Sequence, residues 1–190
     1  MGISNNEIVT QYLAGLFKAG SEVPVVKILD LVDLIAAKRT TRSSVYIAGN
    51  GGSAATASHF ATDIGIGGLN RTKPVKAVSL CDNSAVITAS ANDNGYESIF
   101  SDQLITLSNP GDLLVVITAS GNSMNLIRAI EACGSLGIDV FSLTGFNGGK
   151  VKELTTGNNI HIETPVGSYG IVEDLHLSIC HMITECLRAE

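Results

Sequence analysis

The apolar positions along the chain fall into two regimes. From Glu7 to Ala19, the residues Ile8, Tyr12, Leu13, Leu16 and Phe17 recur at helical spacing. Pro24 then opens a second helical stretch, with Val25, Ile28, Leu29, Val32, Ile35 and Ala36 as its apolar stripe. Lys38 and Arg39 suit the end of that helix, where the macrodipole favours positive charge. After Arg42 the pattern changes. Short β-branched runs alternate with helical segments and Gly/Ser-rich turns. Strands are predicted at Ser44–Ala48, Lys76–Leu80, Leu113–Thr118, Asp139–Leu143 and Asn159–Ile162. Helices are predicted between them at Ser53–Ile64, Ser84–Asn92, Glu97–Leu107, Ser123–Leu136 and Lys150–Leu154, with a final one at Ile171–Leu187. Apolar runs without strict alternation imply strands buried on both faces. Strands alternating with helices imply a parallel sheet with crossover connections. The expected class is α/β: three layers, a five-stranded parallel sheet flanked by helices, and two leading helices. No linker or low-complexity tract divides it, so residues 1–190 are expected to form one domain. Within it, 1–42 are a helical extension and 43–190 the α/β core.

Composition narrows the function. The 190 residues are 45% hydrophobic and only 16% charged, and the mean hydropathy is +0.29. That balance excludes a disordered chain and points to apolar surface buried between subunits as well as in the core. The net charge of −6, with Lys and Arg scattered, argues against nucleic acid. The strongest apolar run, Leu113–Ile117, is strand-sized, so no membrane span is expected. The N-terminus lacks the features of a signal peptide, which suggests a cytoplasmic protein. Cys81, Cys133, Cys180 and Cys186 show no CxxC spacing and read as reduced thiols.

Two segments echo each other. Val45–Ser53 runs strand, Gly49-Asn50-Gly51-Gly52, helix start; Val116–Ser123 runs strand, Ala119-Ser120-Gly121-Asn122, helix start. In a parallel sheet both turns fall at strand carboxyl ends, where ligands bind. Their backbone N–H groups and the positive helix ends can hold an anion, and Ser53, Thr118, Ser120 and Ser123 add hydroxyls. A serine at a helix start is by itself more often a cap. Two such turns on one sheet edge reverse that preference. Gly49–Ala54 also fits the G-x-G-x-x-A dinucleotide pattern, but the acidic residue that pattern wants arrives late, at Asp82.

Side chains with chemistry lie on two helices. His59 and Asp63 are four apart and share a face. Glu173 and His181 are eight apart on the last helix, their directions differing by roughly 80°. Imidazole and carboxylate from two helices suit either acid/base work or a divalent metal. Each residue alone also fits a structural role. His176 points away from His181, and His161, inside a strand, reads as structural.

Together, Gly49–Ala55, His59-Phe60-Ala61, Ser90–Asp93, Ser120–Ser123 and Val172–His176 with His181 resemble the phosphoheptose isomerase family, within the larger sugar-isomerase (SIS) domain class. The resemblance covers nearly the whole chain. It implies isomerisation of sedoheptulose 7-phosphate to a heptose 7-phosphate for bacterial surface polysaccharide (lipopolysaccharide). It also implies a cytoplasmic homotetramer with sites at subunit interfaces and one zinc per subunit. Ser53, Ser120 and Ser123, with Thr118 and Ala119 nearby, would hold phosphate and sugar. Asp93, Asn50 and the backbone of Gly51 and Gly52 would contact the sugar. Asp63 stands in the place of the catalytic Glu, and His181 matches the catalytic His. His59, Asp63, Glu173 and His181 match the metal ligands, and Glu173 also falls among the substrate contacts. Four positions depart from the family: Asp63 for Glu, Glu173 for Gln, Gly67 for Arg and Gly170 for Asp. They leave two divisions of labour open, Asp63 as base or Glu173 as base with Asp63 a pure ligand. They also keep alive a non-catalytic SIS module that binds a phosphosugar or a partner such as a replication initiator.

Overall fold

The fold comes from a computed structural model, and its described residues are 2–66 and 74–189. Two helices of 17 residues lead: α1 (Asn5–Ser21) and α2 (Val25–Thr41). A capping box starts α1: the Ser4 hydroxyl accepts from the Glu7 N–H at 3.3 Å, and the Glu7 carboxylate accepts from the Ser4 N–H at 2.8 Å. Pro24 caps α2, and Arg42 ends it in the left-handed region at φ 58°.

Then come β1 (Ser44–Gly49), α3 (Gly52–Ile64), β2 (Lys76–Ser79), α4 (Ser84–Asn94), a 3-10 turn (Tyr96–Ser98) and α5 (Ser101–Leu107). The rest is β3 (Leu113–Thr118), α6 (Met124–Leu136), β4 (Asp139–Thr144), α7 (Gly149–Leu154), β5 (Asn159–His161) and α8 (Tyr169–Ala189). All pairings are parallel, in the order β2-β1-β3-β4-β5. This is the expected three-layer α/β class. The order of strand addition across the sheet reverses between β1 and β3, so the crevice at their carboxyl ends is the topological switch point.

The pleat explains why these strands are apolar throughout. Val45, Ile47, Leu113, Val115 and Ile117 pack on one face against α2, α3 and α8, through Leu31, Ile35, Phe60 and Ile179. Tyr46, Ala48, Leu114 and Val116 pack on the other face against α5 and α6, through Leu104, Leu126 and Ile130. The leading helices thus share the sheet's own core. Tyr46, the polar exception, donates its hydroxyl to the Leu107 carbonyl at 2.8 Å.

One expected element is corrected. Glu97–Leu107 is not a single helix but the 3-10 turn followed by α5. Ile99 and Phe100, adjacent in sequence, are both buried at the break. A continuous α-helix would splay neighbours by about 100° and expose one of them. The Gln103 amide bridges the irregular segment, donating to the carbonyls of Ile99 (2.8 Å) and Leu80 (3.0 Å).

Candidate functional site

The turn after β1 depends on its glycines. A Cβ on Gly49 would lie 2.6 Å from the Ser53 carbonyl oxygen, and Gly51 adopts φ +56° to enter α3. Gly51 holds the N-cap position and makes no side-chain cap bond, so the N-terminal end of α3 has no side-chain cap there. Ser53 lies inside the first helical turn and is buried, so it is not the cap.

The turn after β3 is held by its own polar groups. The Thr118 hydroxyl accepts from the Gly121 N–H at 3.1 Å, and the Ser120 hydroxyl accepts from the Asn122 N–H at 3.4 Å. Gly121 sits at φ +68°, where a Cβ would collide with the Gly148 carbonyl. Ser123 occupies the N-cap of α6 but makes no side-chain cap bond. The capping role that competed with ligand binding for Ser53 and Ser123 is therefore not what these hydroxyls do. Ala119 is buried beneath the turn.

A cavity of about 330 Å³ opens at the switch point, lined by Asn50, Tyr96, Glu97, Ser123, Met124 and Asn125. It joins the two turns. A larger cavity of about 640 Å³ lies along β2 beside Val78 and holds none of the expected site residues.

The helices bring three expected residues together. His59 and Asp63 of α3 meet His181 of α8. The two Nε2 atoms are 3.4 Å apart, and Asp63 Oδ2 lies 3.4 Å from His59 Nε2 and 3.8 Å from His181 Nε2. The imidazoles meet edge to face, with centroids 5.0 Å apart. Each imidazole side chain is 49% exposed and the Asp63 side chain 21%. The cluster therefore opens to solvent, with Asp63 at its floor. Burial pushes the neighbouring Cys180 thiol up, and the Asp63 charge adds to the push, so this thiol stays protonated.

These three residues fit a metal ion by type and by distance. Two imidazoles and a carboxylate are the protein ligands of a catalytic zinc site. Bonds of about 2.0–2.1 Å in a tetrahedron place ligand atoms about 3.3 Å apart, close to the spacing observed.

Other expected residues lie elsewhere. Glu173 is not in the three-residue cluster. It is eight residues from His181, roughly 12 Å along α8, and its carboxyl group packs against Gly52 at the start of α3. It thus stands beside the first turn. Asp93 is exposed near the end of α4 and accepts from the Asn92 amide at 2.8 Å. At Gly170, a Cβ would lie 2.7 Å from the Tyr12 hydroxyl, which donates to Asp174 at 2.6 Å. The space that an aspartate would need here is taken by a phenol from α1. That hydrogen bond holds the Tyr12 pKa up at about 12. Gly67 lies outside the described residues. His161 is structural as expected: its Nδ1 pairs with the Thr144 hydroxyl at 3.0 Å, and burial lowers its pKa. His176 is wholly buried.

Sequence reasoning missed Tyr96 and Asn125. Both contact the side chain of Asn50. Only the adjacency of Asn125 to the Ser120–Ser123 turn could have pointed to one of them.

Comparisons with known proteins show the family. Residues 10–145 match the SIS domain family. A probable phosphoheptose isomerase from Thermoplasma acidophilum is 33% identical over 173 residues, covering 91% of this chain and 93% of that protein. A phosphoheptose isomerase from Methylibium petroleiphilum is 33% identical over 193 residues, covering 100% of this chain and 96% of the relative. The solved structure of a phosphoheptose isomerase from Neisseria gonorrhoeae superposes with a TM-score of 0.88 at 28% identity, covering 98% of this chain and all of that one. The chain belongs to the SIS domain family and, within it, to the phosphoheptose isomerases. It is an enzyme, a phosphosugar isomerase.

Proposed function

We propose that the chain interconverts sedoheptulose 7-phosphate and the corresponding aldose, heptose 7-phosphate, in the cytoplasm, for bacterial surface-polysaccharide synthesis. The observation that carries this reading is the His59–Asp63–His181 cluster in a fold whose two Gly/Ser turns meet at the switch point. The Ser120 and Ser123 hydroxyls and the N–H groups at the positive end of α6 hold the phosphate. Asn50, Ser53 and Asp93 hold sugar oxygens. Asp63 moves the proton between C1 and C2 through an enediol, and His181 is the acid for the carbonyl oxygen or for ring opening. Zinc, one ion per subunit on His59, Asp63 and His181, would supply a positive charge that polarises the sugar oxygens.

The active assembly is a homotetramer with sites shared between subunits. Three observations support this. Phe17, Val25 and Val26 are 81%, 65% and 70% exposed on the leading helices, an apolar surface that seeks cover. Both imidazoles of the cluster are half exposed. Ser53 and Asp63 lie ten residues apart on α3, roughly 15 Å along the axis. A seven-carbon chain at about 1.5 Å per bond is shorter than that, and its phosphorylated form spans the distance only when fully extended. In the shared site one subunit supplies the turns and Glu173, and a second copy supplies His59, Asp63 and His181. In that arrangement Glu173 completes the four-residue ligand set across the interface. Its place against Gly52 also keeps it as the alternative base. The test is to incubate the protein, with and without chelator, with a panel of ketose phosphates and follow aldose formation. Sedoheptulose 7-phosphate is the substrate expected to turn over.

A further inference from the structure

Asn50 stands at the carboxyl end of β1, in the middle of the first turn. Its side chain is held by two residues from different elements. Its Nδ2 donates to Asn125 Oδ1 at 2.9 Å, and Asn125 Nδ2 donates back to Asn50 Oδ1 at 2.9 Å. The Tyr96 hydroxyl donates to the same Asn50 Oδ1, also at 2.9 Å.

The donor and acceptor count is decisive. An amide oxygen has two lone pairs, and its nitrogen has two N–H bonds. Both lone pairs of Asn50 Oδ1 are filled, and one N–H is spent on Asn125. A single N–H remains. Rotating the Asn50 amide by half a turn would set N–H against N–H and oxygen against oxygen in its pair with Asn125. Asn125 is 1% exposed and its side-chain hydrogen bonds are both to Asn50, so the two amides keep or change their orientation together, and the Tyr96 hydroxyl selects between the two arrangements. Asn50, Tyr96, Ser123 and Asn125 all line the 330 Å³ cavity at the switch point.

We infer that Tyr96 and Asn125 are positioning residues that lock the Asn50 amide, so that one N–H and no acceptor faces the bound sugar phosphate. This rests on the isomerase reading, which seats the sugar in that cavity. It deepens that reading by assigning a selectivity. The locked amide recognises a sugar oxygen that accepts a hydrogen bond, a carbonyl or a hydroxyl, and leaves the N–H unpaired against an analogue lacking that oxygen. Tyr96 comes from the 3-10 turn and is 57% exposed, so its hydroxyl can be removed without disturbing the core.

The test is a double-mutant cycle on Tyr96→Phe and Asn50→Ala, with a neutron crystal structure of the Tyr96→Phe protein, which locates the amide hydrogens. Loss of one neutral hydrogen bond is expected to lower kcat/KM by about three- to tenfold, carried mainly in KM, because the contact serves binding throughout the reaction. In the Asn50→Ala background, Tyr96→Phe should change kcat/KM less than twofold. The crystal structure should show the Asn50 amide rotated or in two orientations. An equal loss in both backgrounds, or an Asn50 amide that stays single and unmoved without the phenol, overturns the inference. If the wild-type protein isomerises no sugar phosphate, the isomerase reading fails instead, and the crystal structure alone decides whether Tyr96 holds the amide.

Discussion

His176 makes the fold sensitive to acid. Its imidazole is 0% exposed on the inner face of α8. Neither ring nitrogen has a hydrogen-bond partner of good geometry among the described residues. Burial holds its pKa down at about 4, against an ordinary value of 6.5. The Thr144 carbonyl pulls against burial, and nearby His161 adds a smaller push downward. The folded state therefore binds fewer protons at this site than the unfolded chain. Stability from the neutral ring is complete above about pH 6.5 and is lost as pH falls toward 4. Each pH unit in that window removes about 1.4 kcal/mol, about 3 kcal/mol in all. His176→Met, similar in volume and without buried polar atoms, should abolish this component. At pH 7.5 it should be within about 1 kcal/mol of wild type, since removing unpaired buried polar atoms is close to neutral. Urea unfolding at pH 7.5, 6.5, 5.5 and 4.5 measures the difference, at one fixed protomer concentration because association shifts apparent stability. The variant should gain on wild type at each step down. A difference that stays constant from pH 7.5 to 4.5 refutes the reasoning.

Two further perturbations probe the site. Asp63→Ala and Ser123→Ala should each abolish or cripple turnover while the oligomer persists on size exclusion. Subunits of the two variants, mixed and reassembled, should regain activity, because a shared site pairs an intact cluster with an intact turn; no recovery would place each site within one subunit. Gly121→Ala should cost about 1–3 kcal/mol of strain at φ +68°, beyond its collision with Gly148. Thermal unfolding should record that loss together with a raised KM for the phosphorylated substrate.

Much of the architecture is legible in the residue order. β3 spans Leu113–Thr118 as its apolar run predicts, because a strand buried on both faces leaves no polar position to blur its ends. The leading helices are equally plain, since helical spacing of apolar residues runs through both and Pro24 marks the start of the second. Glu97–Leu107 reads as one helix in the sequence, while the joint burial of Ile99 and Phe100, decided by packing against α6 and the sheet, breaks it. The site divides in the same way. His59 and Asp63 are neighbours by helical period, so their meeting follows from sequence alone. Their contact with His181 requires α3 and α8 to pack side by side, and motif spacing does not carry that. Spacing also grouped Glu173 with them, whereas the rise of α8 carries it away to Gly52. Tyr12 beside Gly170, and Tyr96 beside Asn50, come from elements that no pattern linked to the site. Such contacts between distant segments are set by the tertiary fold.

The central claim is that this chain moves a proton between C1 and C2 of a ketose phosphate. The direct measurement is to incubate the purified protein with sedoheptulose 7-phosphate in D2O and follow the products by proton NMR. The account predicts an aldose heptose 7-phosphate with deuterium at C2, because an enediol is reprotonated there by a side chain that exchanges with solvent. No aldose from this or any other heptose or hexose phosphate would contradict it.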